Sequence, residues 1–167
     1  MLAGYQFRGQ SMPSRLHRLI YVSRSSNVLG EDADAEIHRI VAVSTGKNRT
    51  IDVTGLLLAH QGWFLQALEG PSAEVSGLMG RISRDPRHRR VHTLCADMVD
   101  ERLFNDWNMV GARLGPEADP VLTELGQIAR FDAGGLNAAA ALQLLVFAAD
   151  HQRRREREGL GLPRRIA

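Results

Sequence analysis

The chain has a single cysteine, Cys95, among 167 residues. A lone thiol excludes an intrachain disulfide and leaves no thiolate cluster for a structural metal. It fits a reduced compartment, with Cys95 as one buried thiol in an apolar strand and the cytoplasm as the expected location. No apolar run approaches the roughly 20 residues that a membrane span needs. The opening stretch MLAGYQFRGQSMPSR has no apolar core, so it is not read as a secretory signal. Hydrolytic motifs are also missing: there is no nucleophile elbow, phosphate-binding glycine loop or zinc helix, and the six histidines lack ligand spacing. No metal is expected.

Charge of one sign is scarce as well. The net charge is +2, from 21 basic and 19 acidic residues. Residues 16–112 carry eleven bases and twelve acids, and residues 113–152 two bases and five acids, whereas the last fifteen carry six arginines and two glutamates. That end reads as a solvated helix terminus and tail, where cations also suit the helix dipole. Without a DNA-reading helix or interleaved aromatics, nucleic acid is not an expected partner.

What is present is an orderly alternation of strand and helix patterns. Residues 1–15 read as a flexible leader. His17–Ser23 is an apolar, β-branched run and a first strand, with Leu19, Tyr21 and Ser23 on one face. Asp32 or Asp34 caps a helix to about Thr45, with Ile37, Ile40, Val41 and Ser44 on its buried face and Gly46 as the stop. Asp52–Glu69 is a hairpin turning at His60-Gln61-Gly62. Gly70-Pro71-Ser72 opens a second helix that buries Val75, Leu78, Met79 and Ile82 and ends at Asp85-Pro86-Arg87-His88. Val91–Val99 and Trp107–Gly111 are further strands, with Trp107 and Met109 on one face. Asp119–Phe131 and Gly135–Arg155 read as two more helices. The second is rich in alanine and leucine and needs an apolar surface, either the uncovered sheet face or a second copy.

This order predicts an α+β, ferredoxin-like sandwich: a mixed five-stranded sheet with two helices on one face, plus two C-terminal helices. The expected divisions are a leader over 1–15, a core domain over 16–112, a helical extension over 113–158 and a flexible basic tail over 159–167.

One residue breaks the pattern. In Trp63-Phe64-Leu65-Gln66-Ala67-Leu68-Glu69 the two-residue period puts Gln66 on one face with Phe64 and Leu68, and Trp63, Leu65 and Ala67 on the other. Both faces look buried, and a buried amide without partners costs about 1–3 kcal/mol. Tyr21 and Asn48 are polar in the same manner on otherwise apolar segments. Together these groups suit the alternating donor–acceptor edge of a planar heterocycle, held in an apolar slot between the two helices, with Lys47, Arg81, Arg87 and His88 at its rim. The residues alone leave a ligand-free core network equally open.

The motifs HRLIYVS, STGKN, DVTGLLLAHQGWFLQALEGP, RISRDPRH and ERLFNDWNM, in that order over residues 16–112, resemble the BLUF domain, the flavin-based blue-light sensor. The resemblance implies a flavin between the two helices, FAD in the first place, with FMN or riboflavin as other forms. It implies that Tyr21 is the light-sensing phenol, Gln66 the amide between phenol and flavin, Asn48 a flavin-edge amide, and Trp107 and Met109 the switchable pair. Ser44, Ile40, Arg81, Asp85, Arg87 and His88 match pocket-lining positions. Lys47 departs from the family's usual Asn or His before the key asparagine. The implied function is light-driven hydrogen-bond rearrangement signalled to a downstream protein through the C-terminal region, in a homo-oligomer, without enzymatic turnover. A flavin redox enzyme and a ligand-free interaction module are the alternatives.

Overall fold

A computed structural model describes residues 16–26 and 33–159, apart from the side chains of residues 33, 34 and 36. The expected leader, the cap at Asp32 and the expected tail beyond residue 159 lie outside those described residues, and the backbone of Asp34, the other expected cap, lies within the first helix.

In chain order the elements are β1 (Leu16–Ser25), α1 (Ala33–Thr50), β2 (Thr54–His60), β3 (Trp63–Pro71), α2 (Ser72–Ile82), β4 (His88–Val99), β5 (Val110–Arg113), α3 (Asp119–Glu124) and α4 (Ala138–Arg157). Short 3-10 turns occupy Pro116–Ala118 and Ala133–Gly135. The sheet order is β4-β1-β3-β2-β5. All neighbours are antiparallel except β5, which runs parallel to β2. The first six elements make the ferredoxin-like βαββαβ arrangement, and β5 is the added strand.

The sheet is covered on both faces. On one, α1 and α2 bury Leu19, Tyr21, Leu57, Phe64 and Leu68 under Ile37, Ile40 and Val75. On the other, α3, α4 and the segments joining them bury Ile20, Val22, Leu56, Leu58, Leu65 and Ala67. The C-terminal helices therefore lie on their own chain's sheet. β3 runs through the middle, and every residue from Trp63 to Gly70 is buried. The hairpin before it turns at Gln61 (φ 44°) and Gly62 (φ 80°), two left-handed residues whose twist matches that of the flanking strands.

Several boundaries differ from the sequence reading. α1 does not stop at Gly46 but continues to Thr50. A mid-helix glycine costs roughly 0.5–1 kcal/mol against alanine. Here the extra turn is fixed from outside, because Asn48 Nδ2 donates to the Asn108 carbonyl at 2.9 Å. The chain reverses afterwards at Asp52 (φ 53°), with the Val53 amide donating back to the Asn48 carbonyl at 2.9 Å.

The last strand also starts later than expected. Residues 107–109 form an irregular, bent approach, and only Val110–Arg113 pairs with β2. α1 sits tightly on it: a Cβ on Gly111 would lie 2.5 Å from Ile37 Cγ2. α3 is half the expected length and ends before Gly126, whose φ of 67° no continuing helix accepts. α4 begins at Ala138, where Asn137 Oδ1 accepts from the Ala140 amide at 2.8 Å as the cap. Cys95 is half-buried on the edge strand β4, where its thiol donates to Asp97 at 2.9 Å. It is not the core thiol that its apolar neighbours suggested.

A buried carboxylate on β3 organises the route into residues 107–109. Glu69 is wholly buried and accepts from Arg18 Nε (2.6 Å) and from the amides of Leu103 (3.1 Å) and Phe104 (2.9 Å). Arg102 reinforces it from the side, donating to the Glu69 carbonyl at 3.1 Å and to Asp52 Oδ2 at 2.8 Å. The strand period puts Glu69 on the buried Trp63 face, but nothing local names the partners of its charge.

Candidate functional site

A narrow cleft opens between α1 and α2. α1 contributes Ile40, Ser44 and Asn48 at successive four-residue steps, which place all three on one helix face. α2 contributes Leu78 and Ile82, and the turn after it Asp85, Arg87 and His88. The floor is Gln66 of β3 with Met109 beside it.

Antiparallel register sets Tyr21 directly across from Gln66. The Tyr21 hydroxyl donates to Gln66 Oε1, and Gln66 Nε2 donates to Met109 Sδ at 3.1 Å. The buried amide therefore has one partner at each end. Burial pushes the Tyr21 phenol far above its ordinary range; the nearby Asp85 charge adds to this and Arg87 opposes it. The phenol is thus a neutral donor at physiological pH. The Asp85 carboxyl is held below its ordinary value chiefly by side-chain hydrogen bonding from Arg87, whose Nε donates to Oδ1 at 2.9 Å and whose Nη2 donates to Oδ2.

Asn48 is the most informative lining residue. It is 1% exposed, and its Nδ2 is used on Asn108, but its Oδ1 is buried without a hydrogen-bond partner. Leaving such an acceptor unsatisfied costs about 1–3 kcal/mol. An unsatisfied acceptor on a residue that lines the cleft fits a ligand edge bearing an N–H. The apolar walls from Ile40, Leu78 and Ile82 fit a flat body, and the Gln66 amide fits a carbonyl or ring nitrogen. A flavin ring has these features.

The remaining predicted residues fall in different places. Met109 is buried in the core of the cleft face, whereas Trp107 is buried in the core of the opposite face. The two do not share a face, because the bend at residues 108 and 109 breaks the strand period that would have aligned them. Lys47 and Arg81 are exposed on α1 and α2 and are not among the residues lining the cleft.

A pair that the sequence reading did not single out completes the Tyr21 surroundings. Ser23, wholly buried two residues along β1, hydrogen-bonds to His88 Nδ1 at 2.9 Å. The His88 ring packs edge-on to Tyr21 at 6.0 Å and against Phe64 at 5.0 Å. The available signal was that Ser23 shares a face with Tyr21. Among the described residues, no group of His, Cys, Asp and Glu could hold a metal ion, and no helix is long and apolar enough to cross a membrane.

Comparison with known proteins agrees with this geometry. The family model described as "BLUF: Sensors of blue-light using FAD" matches residues 16–110. The photoactivated adenylate cyclase subunit beta of Euglena gracilis is 33% identical over 125 residues, which is 73% of this chain but 14% of that protein. The chain thus spans about a seventh of the curated relatives it matches first. Two solved structures match over most of their own length. The photo-activated state of BlsA superposes with a TM-score of 0.72 at 25% identity, covering 80% of this chain and 94% of that one. The dark state of the BLUF protein BlrB gives 0.66 at 29% identity, covering 82% and 98%. With a family match over more than half its length and the phenol–amide pair at the floor of its cleft, the chain belongs to the BLUF family of blue-light sensors that use FAD.

Proposed function

We propose that this chain is a blue-light photoreceptor that holds oxidised flavin between α1 and α2. It signals through rearrangement of the Tyr21–Gln66 hydrogen bonds to a partner protein, by way of residues 113–158 and without turnover of its own. FAD as the bound form, a homo-oligomeric assembly and a cytoplasmic location are the finer parts of the same reading. The family description supports FAD, and Lys47 and Arg81 at the exposed ends of the two helices offer charge to its phosphates. Tyr21, Gln66, Asn48 and Met109 act at the ring, with Ile40, Ser44, Asp85, Arg87 and His88 around it.

The observation that carries the reading is the buried amide bridging a phenol and a thioether beside an unsatisfied acceptor. Bound flavin supplies blue-light absorption and an acceptor for the phenol's electron. The protein's part follows from the side chains. Tyr21 keeps its proton on Oη and aims it at Gln66 Oε1. Gln66 has a donor end and an acceptor end of nearly equal size, so turning it over exchanges which end meets the phenol and which meets Met109. Such an element has two states, and its neighbours decide between them. The walls from Phe64 and Leu68 leave few other orientations.

The purified protein tests this directly. The expected result is a yellow protein whose absorption shifts reversibly to the red under blue light. The Tyr21→Phe variant should bind flavin and lose the shift. A colourless protein that ignores added FAD would overturn the reading, and a shift that persists in Tyr21→Phe would overturn the role of Tyr21.

A further inference from the structure

β4 is an edge strand whose residues are exposed or half-buried, with one exception: His88, its first residue, is buried. A kink puts it there. Between the pairs Val22–His92 and Arg24–Arg89, β1 advances two residues and β4 three. The extra residue makes a bulge, within which Arg90 takes a left-handed φ of 51°, uncommon for a non-glycine. Beyond it His88 pairs with Ser25, which sets it diagonally across from Ser23 on the cleft face of β1. The Ser23 hydroxyl meets His88 Nδ1 at 2.9 Å. The imidazole then lies edge-on to Tyr21 (62° between the planes), tilted on Phe64 (47°), and lines the cleft. Main-chain bonds tie down the same turn: the Ser26 amide donates to the Arg87 carbonyl and the His88 amide to the Asp85 carbonyl, both at 3.0 Å.

We propose that Ser23 is a positioning residue for the light reaction: its hydroxyl fixes His88 as the neutral tautomer protonated on Nε2 and so holds the ring against Tyr21. The effect on the light reaction rests on the flavin-sensor reading; the tautomer follows from Ser23 itself. Ser23 is wholly buried, and His88 Nδ1 is the hydrogen-bond partner of its side chain. A hydroxyl has one proton to give and two lone pairs to fill. A buried donor without an acceptor is a costly defect, whereas an under-used oxygen lone pair is better tolerated. Ser23 therefore donates, and Nδ1 offers its lone pair. The ring's proton then sits on Nε2. With the proton on Nδ1 instead, the ring would donate to Ser23 and the buried hydroxyl proton would lose its acceptor. The nearby charge agrees with a neutral ring. Asp85 is close enough to feel a charge on His88, but Arg87 already engages it, Nε to Oδ1 at 2.9 Å.

The consequence falls on Tyr21, the residue that gives up an electron in the proposed reaction. A ring pinned at Nδ1 presents the same edge to the phenol ring before and after light. The outer torsion of a histidine has a roughly two-fold preference. Without the hydroxyl the imidazole is free to turn over and exchange its nitrogens, so the packing around Tyr21 has two forms instead of one.

The full chain provides the test, with two readouts. The first is the nitrogen NMR spectrum of the His88 ring in the flavin-free protein at neutral pH, which separates a bare ring nitrogen from an N–H. In the parent Nδ1 should be bare and Nε2 protonated, and Ser23→Ala should show both tautomers. Ser23→Thr, which keeps the hydroxyl, should retain the parent pattern. The second is the rate at which the light-induced state of the FAD-loaded protein returns in the dark. Ser23→Ala should change it by about three- to tenfold, the size of one neutral hydrogen bond. His88→Phe keeps a ring against Tyr21 and removes the nitrogen; in that background Ser23→Ala should change the return rate by less than about twofold. A proton on Nδ1 in the parent, or a Ser23→Ala effect of the same size with and without His88, would overturn the proposal while leaving the sensor reading intact. Failure to take up flavin would sink the sensor reading, and with it the effect on return, whereas the tautomer is read without flavin.

Discussion

Asn48→Leu separates the two sides of the pocket's energetics. The side chain is 1% exposed, donates from Nδ2 to the Asn108 carbonyl at 2.9 Å, and has an unsatisfied Oδ1. Its backbone carbonyl accepts from the amides of Ile51 and Val53, and leucine keeps those bonds. In the flavin-free protein the substitution loses one hydrogen bond and leaves the Asn108 carbonyl short, a cost of about 1–3 kcal/mol. It also removes the orphaned Oδ1, a gain of about the same size. The two nearly cancel, so flavin-free stability should change by less than about 1 kcal/mol. With flavin bound the balance differs, because the acceptor that the ring would satisfy is gone. Loss of one buried hydrogen bond, about 1.4–2.8 kcal/mol, weakens flavin affinity roughly ten- to a hundredfold. Urea unfolding of the flavin-free proteins gives the first quantity, and fluorescence-quenching titration with FAD gives the second. A variant that binds FAD as the parent does, or that loses more than about 3 kcal/mol without flavin, would refute this account of Asn48.

Three further predictions follow from the fold. Glu69→Leu strands Arg18 and the amides of Leu103 and Phe104, and should cost about 3–5 kcal/mol, seen as a fall in thermal midpoint of roughly 10 °C. Gly111→Ala puts a methyl group 2.5 Å from Ile37 Cγ2 and should destabilise by about 1–3 kcal/mol in chemical unfolding, as α1 is pushed off β5. Asp85 has its folded-state pKa depressed below 3.8, so the stability it contributes is present above that value and is lost as pH falls through the lowered one. The pair with Arg87 is partly exposed, so Asp85→Asn should cost at most about 1 kcal/mol at neutral pH, and the difference should vanish in acid-unfolding measurements below the folded-state value.

The parts of this architecture that were legible in the sequence are those in which one local period governs. β3 reads cleanly because its two-residue alternation is uninterrupted and both faces are buried, which is also why Gln66 stood out. Tyr21 and Ser23 were placed on one face of β1 by the same period. The misreadings occur where a distant contact overrides a local signal. Gly46 looked like a helix stop, but Asn48 is tied to Asn108, sixty residues away in sequence, and holds the extra turn. Trp107 and Met109 looked like strand neighbours, but the bend between them is imposed by bonds to α1, β2, β3 and α4. The apolar spacing after Asp119 continues past Glu124, yet Gly126 turns left-handed and Gln127 Oε1 closes a loop onto the Asp132 amide at 2.7 Å. The period puts Glu69 on the same buried face as Trp63, Leu65 and Ala67, but its partners could not be read, since Arg18, Leu103 and Phe104 lie 51, 34 and 35 residues away.

The choice of glutamine at the floor of the cleft has an energetic reason beyond satisfying a buried group. In the observed orientation the amide accepts a strong O–H···O bond from Tyr21 and donates a weaker N–H···S bond to Met109. Turned over, the N–H would face the phenol oxygen, which can accept, and the carbonyl would face a sulfur that has no proton to give. The observed orientation is therefore preferred in the empty cleft, because the turned amide leaves the phenol proton and its own carbonyl without partners, at about 1–3 kcal/mol for each orphaned group. A ligand edge that donates to that carbonyl offsets part of this gap and brings the two states closer. Asparagine in this position would be too short to span from Tyr21 to Met109, and glutamate would present two acceptors and no donor. Leucine would fill the space but have only one state. The amide is the side chain of this length that satisfies both neighbours and still leaves the outcome to the edge of whatever occupies the cleft.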